Sequence, residues 1–590
     1  MKRRWIRSGA VALIMMMAMV FAGCADEIVN TTHNHFPQAP AFDPYREYDV
    51  IVVGTGITGF ASFFALKELG PSIVGRELDI LFIERAAITG GLSNTAGGIF
   101  NNANMLFAGH PTRAPAAQAA NTGTRVLFET WHYNEMRGNA DSLHQNHTAT
   151  TVRRVGGVPV YPFMDKLWTA ASNALPSRDL IESLGVQIAP GSGRAVMERM
   201  TAAARARYGQ DSILLNATAV GLFTAPLLGP YGNSVVGVQI RLNDRVYDVR
   251  ARYVIMATGN AGNNLALLAE WEDDSENQPA VYLSEFMMRA QALNLDGLGI
   301  EIMRDDANAA VFMGGFGAVS NAAFGRAWFN DNRFHAAFAI NSNSTDAFNA
   351  PALLPMVPNS IVVTGEGRRF RAENDINSGR GAARMMTLNR PPYWIYTDTL
   401  PQVMDGANPA VIAGRTTQEW LAFAAERAAA ESWNPISSEI VSSTSIAGLA
   451  ALMFPGNTAV QDAFIAEVVA YNTAVAAATW VDPITVQASA AYWPPIGRGK
   501  LEDNALLITG STFYAIRIYP SGWDTFGGVI TNSVGAVYNR AGVIIPGLFA
   551  VGGASNRDLF DQHYLGGTSV TIYPGIGHAA ALEVMRQLAP

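Results

Sequence analysis

Three glycines near the beginning of the chain have the spacing of a phosphate-binding turn. Gly54, Gly56 and Gly59 form a GxGxxG pattern within DVIVVGTGITGFASFFALKELG, directly after an apolar run. In such a turn the first glycine permits a tight bend, the second lets backbone approach a pyrophosphate, and the third lets a helix pack on a strand. The helix that follows this turn would point its N-terminal amides at the phosphates. The spacing therefore predicts a dinucleotide site.

A carboxylate follows where a dinucleotide site needs one. Asp79 to Ile83 has the pattern of a second strand, and Glu84 comes directly after it. There its carboxylate can accept hydrogen bonds from both hydroxyls of an adenosine ribose. The helix between the two strands is predicted to end at Gly70 and Pro71. The alternative is an ordinary turn followed by a solvated Glu84, and the occurrence of strand, turn, helix and acid in this order disfavours it.

The next loop is dense in glycine and resembles a known family. Within RAAITGGLSNTAGGIFN, the GGxSxxAxGG segment of the fumarate reductase and succinate dehydrogenase flavoprotein superfamily is matched by Gly90, Gly91, Ser93, Ala96, Gly97 and Gly98. This superfamily includes the 3-ketosteroid dehydrogenases. The resemblance continues in the family's order through LLNATAVGL, RYVIMATGNAGNN and LDGLGI, and near the C-terminus through FYAIRIYPSGWDTFGGV, IPGLFAVGGASN and HYLGGTSVTIYPGIGHAAAL.

The resemblance implies an α/β fold, with a Rossmann-like FAD-binding domain, an inserted α+β capping domain and non-covalent FAD. The FAD-binding domain would comprise residues 47–317 and 507–590, and the capping or substrate domain residues 318–506. The residues expected at FAD are Gly54, Gly56, Ile57, Thr58, Gly59, Glu84, Arg85, Gly90, Gly91, Ser93, Ala96, Gly97, Gly98, Ala219, Ala257, Thr258, Gly259, Asp296, Gly552, Gly553, Gly567, Thr568, Ser569 and Val570. Gly553 is a departure, because the family usually has a Glu there.

The capping segment has two features of its own. The first is a turn similar to the family's GxRFxxE, formed by Gly367, Arg369, Phe370 and Glu373. The second is a helix predicted over residues 460–478, whose apolar spacing places in the core Phe464, Val468 and Tyr471.

Substitutions at three positions bear on the substrate. Fumarate reduction needs cations around a dicarboxylate and an arginine that delivers a proton. On the family plan these positions hold Pro401, Asp524 and Tyr564, so fumarate reductase proper is rejected and a less anionic substrate is expected. Asp524 is a candidate general acid or base, and Tyr564 resembles the tyrosine that polarises a ketone in 3-ketosteroid dehydrogenases. Arg380 is the next candidate. A turn-capping Asp and a packing Tyr are the non-catalytic alternatives.

Two classes of function follow. The leading one is an FAD-dependent oxidoreductase acting on CH–CH groups, which transfers hydride between flavin N5 and a carbon of an activated C=C or C–C bond. It would use a small-molecule substrate and an external electron-transfer partner, and ketosteroid dehydrogenase-like chemistry is a variant of it. The other is a non-catalytic flavin-bearing lipoprotein that carries electrons or binds a ligand.

The N-terminus has the pattern of an exported lipoprotein. A basic start is followed by an apolar run from Ala10 to Ala22 and then by Gly23 and Cys24, which resembles a lipobox. We expect a signal peptide over residues 1–23, lipid on Cys24 that attaches the protein to a membrane, and a flexible tether over residues 24–46. The location would be the bacterial cell envelope, at the periplasmic face or the outer surface. The export route, Sec or twin-arginine, stays open.

Composition limits the remaining options. Cys24 is the only cysteine, which excludes an internal disulfide, a thiolate iron–sulfur cluster and a CxxCH haem site. A chain of 590 residues with 49% hydrophobic and 15% charged residues can bury a large core and form more than one domain. The net charge of -8 argues against a nucleic-acid partner. No metal site is expected.

Overall fold

The computed structural model describes residues 42–96, 153–155, 158–160, 163–188, 193–227, 233–262, 264, 266–267, 287–288, 295–312, 318–324, 360–370, 390–399, 440–477, 506–524, 527–555 and 569–590, with six further residues between 422 and 430. The strands are β1 Tyr48–Val53, β2 Ile80–Ile83, β3 Arg153–Val155, β4 Val158–Val160, β5 Thr218–Pro226, β6 Asn233–Leu242, β7 Arg245–Met256, β8 Met287–Met288, β9 Val311–Phe312, β10 Ala318–Phe324, β11 Ile361–Val363, β12 Tyr393–Thr397, β13 Ile440–Ser443, β14 Phe513–Asp524, β15 Gly528–Val529, β16 Ala536–Tyr538 and β17 Ile544–Ala550. The helices are α1 Ile57–Ile73, α2 Phe163–Ser183, α3 Gly193–Tyr208, α4 Leu298–Asp306, α5 Ile446–Met453, α6 Thr458–Val475 and α7 Ser569–Leu588.

The first sheet is built around four parallel strands. Its order is β16-β17-β7-β1-β2, and β6 pairs with both β5 and β7. β1 runs parallel to β2 and β7, and β17 runs parallel to β7. All six residues of β1 are buried, as expected for a strand in a parallel sheet that is covered on both faces. The predicted Rossmann-like α/β arrangement is confirmed.

Three helices pack together against one face of this sheet. α7 lies against both α1 and α2, and residues of all three share one hydrophobic core. Close approach depends on two glycines of α7. A Cβ at Gly575 would lie 1.9 Å from the Ala170 carbonyl oxygen, and one at Gly577 would lie 2.4 Å from the Thr58 carbonyl oxygen. The PGIGH run therefore lets α7 pack between its two neighbours.

The second sheet contains the strands of the capping segment. Its order is β10-β14-β12-β11, and β13 and β8 also pair with β14. α5 and α6 cover one face, where Phe464, Val468 and Tyr471 are buried as predicted. β14 belongs to this sheet, although its residues fall within the range predicted for the second part of the FAD-binding domain. By strand pairing, the second sheet thus extends to Asp524, past the boundary predicted after residue 506.

The bounds of two helices differ from the sequence predictions. α1 continues through Pro71 to Ile73, because a proline in the last turn removes only one backbone donor, and the left-handed Gly75 (φ +80°) follows the helix. α6 begins two residues before the predicted Val460, since Asn457 caps it by accepting a hydrogen bond from the Val460 amide at 3.2 Å. Its end, at Val475, precedes the predicted one.

The last residues of the predicted tether are packed on the folded body. The Phe42 ring contacts the Tyr247 ring edge-on at 5.9 Å, and Arg46 forms an ion pair with Asp79. The tether therefore excludes residues 42–46, and its remaining residues lie outside the described part of the chain, as does the predicted signal peptide. Among the described helices, none combines the length and the hydropathy needed to span a membrane.

Candidate functional site

The predicted cofactor residues gather at one edge of the first sheet. β1, β2, β7 and β17 run in the same direction, so their carboxyl ends meet there. The residues that follow these strands are Gly54, Glu84, Ala257 and Val551. In open α/β sheets this is the edge at which ligands bind. We call it the cofactor edge.

The glycine turn has the close contacts that its spacing predicts. Gly54 has φ +99°, and a Cβ there would lie 2.5 Å from the Ala257 carbonyl oxygen. A Cβ at Gly59 would lie 1.9 Å from the Gly54 carbonyl oxygen. Gly56 differs, because the nearest described atom to its added Cβ is the Ser93 hydroxyl oxygen at 3.8 Å. The second glycine thus leaves open space at the N-terminus of α1, where a pyrophosphate would approach.

Ser93 and Glu84 both contact the glycine turn. The Ser93 hydroxyl accepts a hydrogen bond from the Ile57 amide at 3.0 Å. Glu84 is buried, and its Oε2 accepts from the amide and the hydroxyl of Thr55 at 3.0 and 2.6 Å. Its Oε1 accepts from the Ala86 amide at 3.0 Å. A carboxylate has about four acceptor positions, so Glu84 retains capacity for a ribose hydroxyl. Sequence reasoning missed Thr55, although it lies inside the GxGxxG pattern.

The loop after β7 contains a buried polar atom without a partner. The Thr258 hydroxyl is buried and has no hydrogen-bond partner among the described residues. Gly299 must lack a side chain, because its added Cβ would lie 2.1 Å from that hydroxyl oxygen. A buried hydroxyl is costly without a partner, and a group bound at this edge could supply one. The open space at Gly56 and this hydroxyl show that the residues present fit FAD.

Arg85 and Asp296, both predicted at FAD, are paired with each other. Arg85 Nη1 lies 2.6 Å from Asp296 Oδ2, and Asp296 Oδ1 accepts from the Leu298 amide at the start of α4. The contact joins the end of β2 to α4. That these two residues also bind FAD stays a prediction.

The loop after β17 closes the cofactor edge. Its closing turn, which we define as Gly552–Ser555, begins with Gly552 at φ +67°. A Cβ at Gly552 would lie 2.7 Å from the Thr58 hydroxyl oxygen, and one at Gly553 would lie 3.0 Å from the Asn260 amide nitrogen. This crowding accounts for the absence of a larger side chain at Gly553.

The structure describes most of the other predicted cofactor residues. Gly90 and Gly91 start the short 3-10 helix that contains Ser93 and precedes Ala96, and Ala219 is buried in β5. Ser569 and Val570 begin α7. The predicted site residues outside the described part of the chain are Cys24, Gly97, Gly98, Arg380, Tyr564, Gly567 and Thr568.

Asp524 is the candidate catalytic residue whose backbone is described. It is the last residue of β14 and pairs with Ala318. Four residues further on, Gly528 forms a bridge with Ser555 of the closing turn. Four residues span at most about 14 Å, which is the upper limit on the distance from the backbone of Asp524 to that of Gly528.

Pro401, the position at which the family would carry the proton-donating arginine, lies outside the described part of the chain, which ends here at Thr399. Thr397, the last residue of β12, pairs with Phe513 at the opposite end of β14 from Asp524. The eleven steps from Phe513 to Asp524 cover roughly 36 Å of extended strand. The role expected for the position of Pro401 therefore stays a prediction.

Comparisons with known proteins agree with this geometry. Residues 346–570 match a family described as FAD binding domain, a range that includes β11 to β14 and the closing turn. No curated protein sequence matches the chain.

Solved structures share the fold at low sequence identity. One is 3-ketosteroid delta1-dehydrogenase from Sterolibacterium denitrificans, with a TM-score of 0.56, 16% identity, and coverage of 92% of this chain and 100% of that one. Another is 3-ketosteroid-delta4-(5alpha)-dehydrogenase from Rhodococcus jostii RHA1, with a TM-score of 0.55, 16% identity, and coverage of 94% of this chain and 99% of that one. A third is a flavocytochrome c3 fumarate reductase, with a TM-score of 0.52, 16% identity, and coverage of 98% of this chain and 81% of that one.

The fold, the cofactor edge and the matched domain define the class of protein. It is an FAD-dependent oxidoreductase, and FAD is its cofactor. Within this class its fold is the one shared by the fumarate reductase and the two ketosteroid dehydrogenases above.

Proposed function

We propose that the protein transfers hydride between flavin N5 and a carbon of an activated C=C or C–C bond, and that it is not a fumarate reductase proper. The observation that carries this proposal is the position of Asp524. It ends the long strand of the second sheet, and the chain that follows it bridges to the closing turn at Ser555. The chain connection from Asp524 to this bridge supports a role for Asp524 beside the cofactor.

FAD supplies the hydride donor or acceptor at N5 when it is bound. The chain must then orient the substrate and move a proton at the neighbouring carbon. Asp524 is the first candidate for the proton transfer, and Tyr564 the candidate donor to a carbonyl oxygen that activates the alkene. Arg380 precedes β12 in the sequence and lies outside the described residues. It is the next candidate for the cation or proton donor.

The test is reoxidation of the reduced flavin. Anaerobic photoreduction is followed by a panel of enoates, enones and steroids, and by fumarate. We expect one class of activated alkene to reoxidise the flavin and fumarate to do so scarcely. Asp524→Asn and Tyr564→Phe should each slow the reaction by roughly a hundredfold with unchanged FAD content. Efficient fumarate turnover would contradict the proposal, and full activity of both variants would move the catalytic role elsewhere.

Two outcomes separate the alternatives. Turnover confined to 3-ketosteroids would favour dehydrogenase chemistry of the kind named for two of the structural neighbours. Reoxidation by a protein redox partner and by no small molecule in the panel would favour an electron carrier or ligand-binding subunit.

We further propose that the protein is anchored in the bacterial cell envelope through lipid on Cys24. The position of β1 supports this arrangement, because β1 begins, at Tyr48, at the sheet edge opposite the cofactor edge. A tether that precedes β1 would then join the folded body on the side remote from the cofactor. Cys24→Ala should abolish partitioning of the protein into membranes, and unchanged partitioning of that variant would contradict the anchor.

A further inference from the structure

The first turn of α2 contains a fully buried lysine. Lys166 has no exposed surface, and its Nζ donates hydrogen bonds to the Thr531 hydroxyl and to the Ser555 carbonyl oxygen, both at 2.6 Å. The two acceptors are 365 and 389 residues away in the chain. The contact is therefore not a local feature of the helix. It ties the start of α2 to two segments beside the cofactor edge.

The closing turn needs support from outside itself. Gly552 and Gly553 have no side chains with which to pack, and they lie against Thr58 and Asn260 through backbone alone. The remaining contacts converge on Ser555. Its amide donates to the Gly552 carbonyl at 3.0 Å, its hydroxyl donates to the Ala550 carbonyl at 2.9 Å, and its own carbonyl accepts from Lys166.

The strand after Asp524 approaches the same turn. Gly528 bridges to Ser555, and a Cβ at Gly528 would lie 2.2 Å from the Ala554 carbonyl oxygen. Thr531, three residues further on, accepts from Lys166. One ammonium group thus holds both the closing turn and the segment that packs on it.

We propose that Lys166 is a positioning residue for FAD, which fixes the closing turn so that its backbone is preformed at the cofactor edge. A turn that must be ordered during binding lowers affinity, because the cost of ordering is subtracted from the binding free energy. This role concerns the cofactor and does not depend on which substrate the enzyme reduces or oxidises.

The test compares two substitutions at Lys166 with a matched control. Lys166→Met keeps most of the volume and removes the donors, whereas Lys166→Gln keeps a donor on a shorter side chain. Lys67→Met is the control, since Lys67 of α1 also donates to a backbone carbonyl, that of Leu78 at 3.3 Å, at the opposite edge of the sheet. For each protein the FAD dissociation constant, the visible circular dichroism of the bound flavin and the Tm of the apoprotein are measured.

We expect Lys166→Met to raise the FAD dissociation constant about tenfold or more and to change the flavin circular dichroism. Lys166→Gln should recover part of the affinity, and Lys67→Met should bind FAD as the wild type does. Unchanged affinity and dichroism in Lys166→Met would overturn the proposal. An equal loss of affinity in Lys67→Met would also overturn it, because the effect would then be one of general stability.

A second variant decides the question if Lys166→Met does not fold. Thr531→Val removes one of the two acceptors while keeping the shape of the side chain and the contact of Lys166 with Ser555. We expect FAD binding to weaken about threefold, with the apoprotein Tm close to that of the wild type. Wild-type affinity in this variant would overturn the proposal.

Discussion

Gly56 is the residue at which the cofactor edge can be blocked with least disturbance to the protein. Its φ of -63° is open to any residue, and no described atom other than the Ser93 hydroxyl lies within 4 Å of an added Cβ. A valine there would fill space that the pyrophosphate needs. We expect Gly56→Val to be purified almost without flavin, measured as flavin absorbance per mole of protein. Its apoprotein should melt at the temperature of wild-type apoprotein, and normal FAD content would refute the assignment.

His578 in α7 gives the stability of the protein a defined dependence on pH. Burial lowers the pKa of His578 from 6.5 to about 4, and its Nδ1 has no partner among the described residues. Between these two pH values the unfolded chain binds a proton that the folded chain does not. Stability therefore falls as the pH is lowered through this window, by about 3 kcal/mol at most.

His578→Leu should remove this component. The free energy of unfolding is measured by denaturant titration at pH 7 and pH 4.5 for both proteins, so that acidic groups common to both cancel. We expect the decrease between the two pH values to be smaller in the variant by about 2 kcal/mol. An equal decrease in both proteins would show that His578 is not buried in the neutral form.

At the scale of the elements, the register between β12 and β14 places Tyr393, the first residue of β12, nearer to Asp524 along β14 than Thr397, the last residue of β12. Arg390 is fixed beside the turn after β11, since a Cβ at Gly365 would lie 3.3 Å from its Cβ. Arg380 precedes Arg390 by ten residues in the sequence and lies outside the described residues, and it is the cation proposed for the site.

We therefore expect Arg380→Gln to slow flavin reoxidation by roughly a hundredfold with unchanged FAD content. Arg390→Gln is the matched control and should retain nearly full activity. The measurement is single-turnover reoxidation of photoreduced protein by the alkene identified from the panel. A larger loss in Arg390→Gln than in Arg380→Gln would contradict the role proposed for Arg380.

At the scale of the whole molecule, the cofactor edge joins segments that are far apart in sequence. The glycine turn, Glu84, Thr258 and the closing turn meet at the ends of four parallel strands. A ligand that contacts all of them binds only the folded chain, so FAD should stabilise it by about 2.7 kcal/mol at a free concentration a hundred times the dissociation constant.

The corresponding measurement is the Tm of reconstituted protein over a range of FAD concentrations. We expect the Tm of the wild type to rise with FAD concentration and that of Gly56→Val to stay constant. If the Tm of the wild type did not change with FAD concentration, FAD would not be bound by the segments that meet at the cofactor edge.

Much of the fold was accessible from local patterns. An apolar run followed by GxGxxG and a helix identified β1 and α1, and the apolar stripe of α6 predicted the burial of Phe464, Val468 and Tyr471. These features depend on neighbours within one or two turns. The end of α1 was misjudged because packing retains Pro71 in its last turn.

The sequence by itself predicted a Rossmann-like fold with a dinucleotide site, because glycine spacing and strand hydrophobicity are local properties of the chain. Its resemblance to the flavoprotein superfamily implied that the cofactor is FAD. Only the tertiary structure decided where the second sheet ends and which residues of β12 and β14 pair. It also decided that Lys166 supports the closing turn. Strand register and contacts across 365 residues or more depend on how separate elements pack. No local pattern encodes that packing, since the same lysine would suit an exposed helix face equally well.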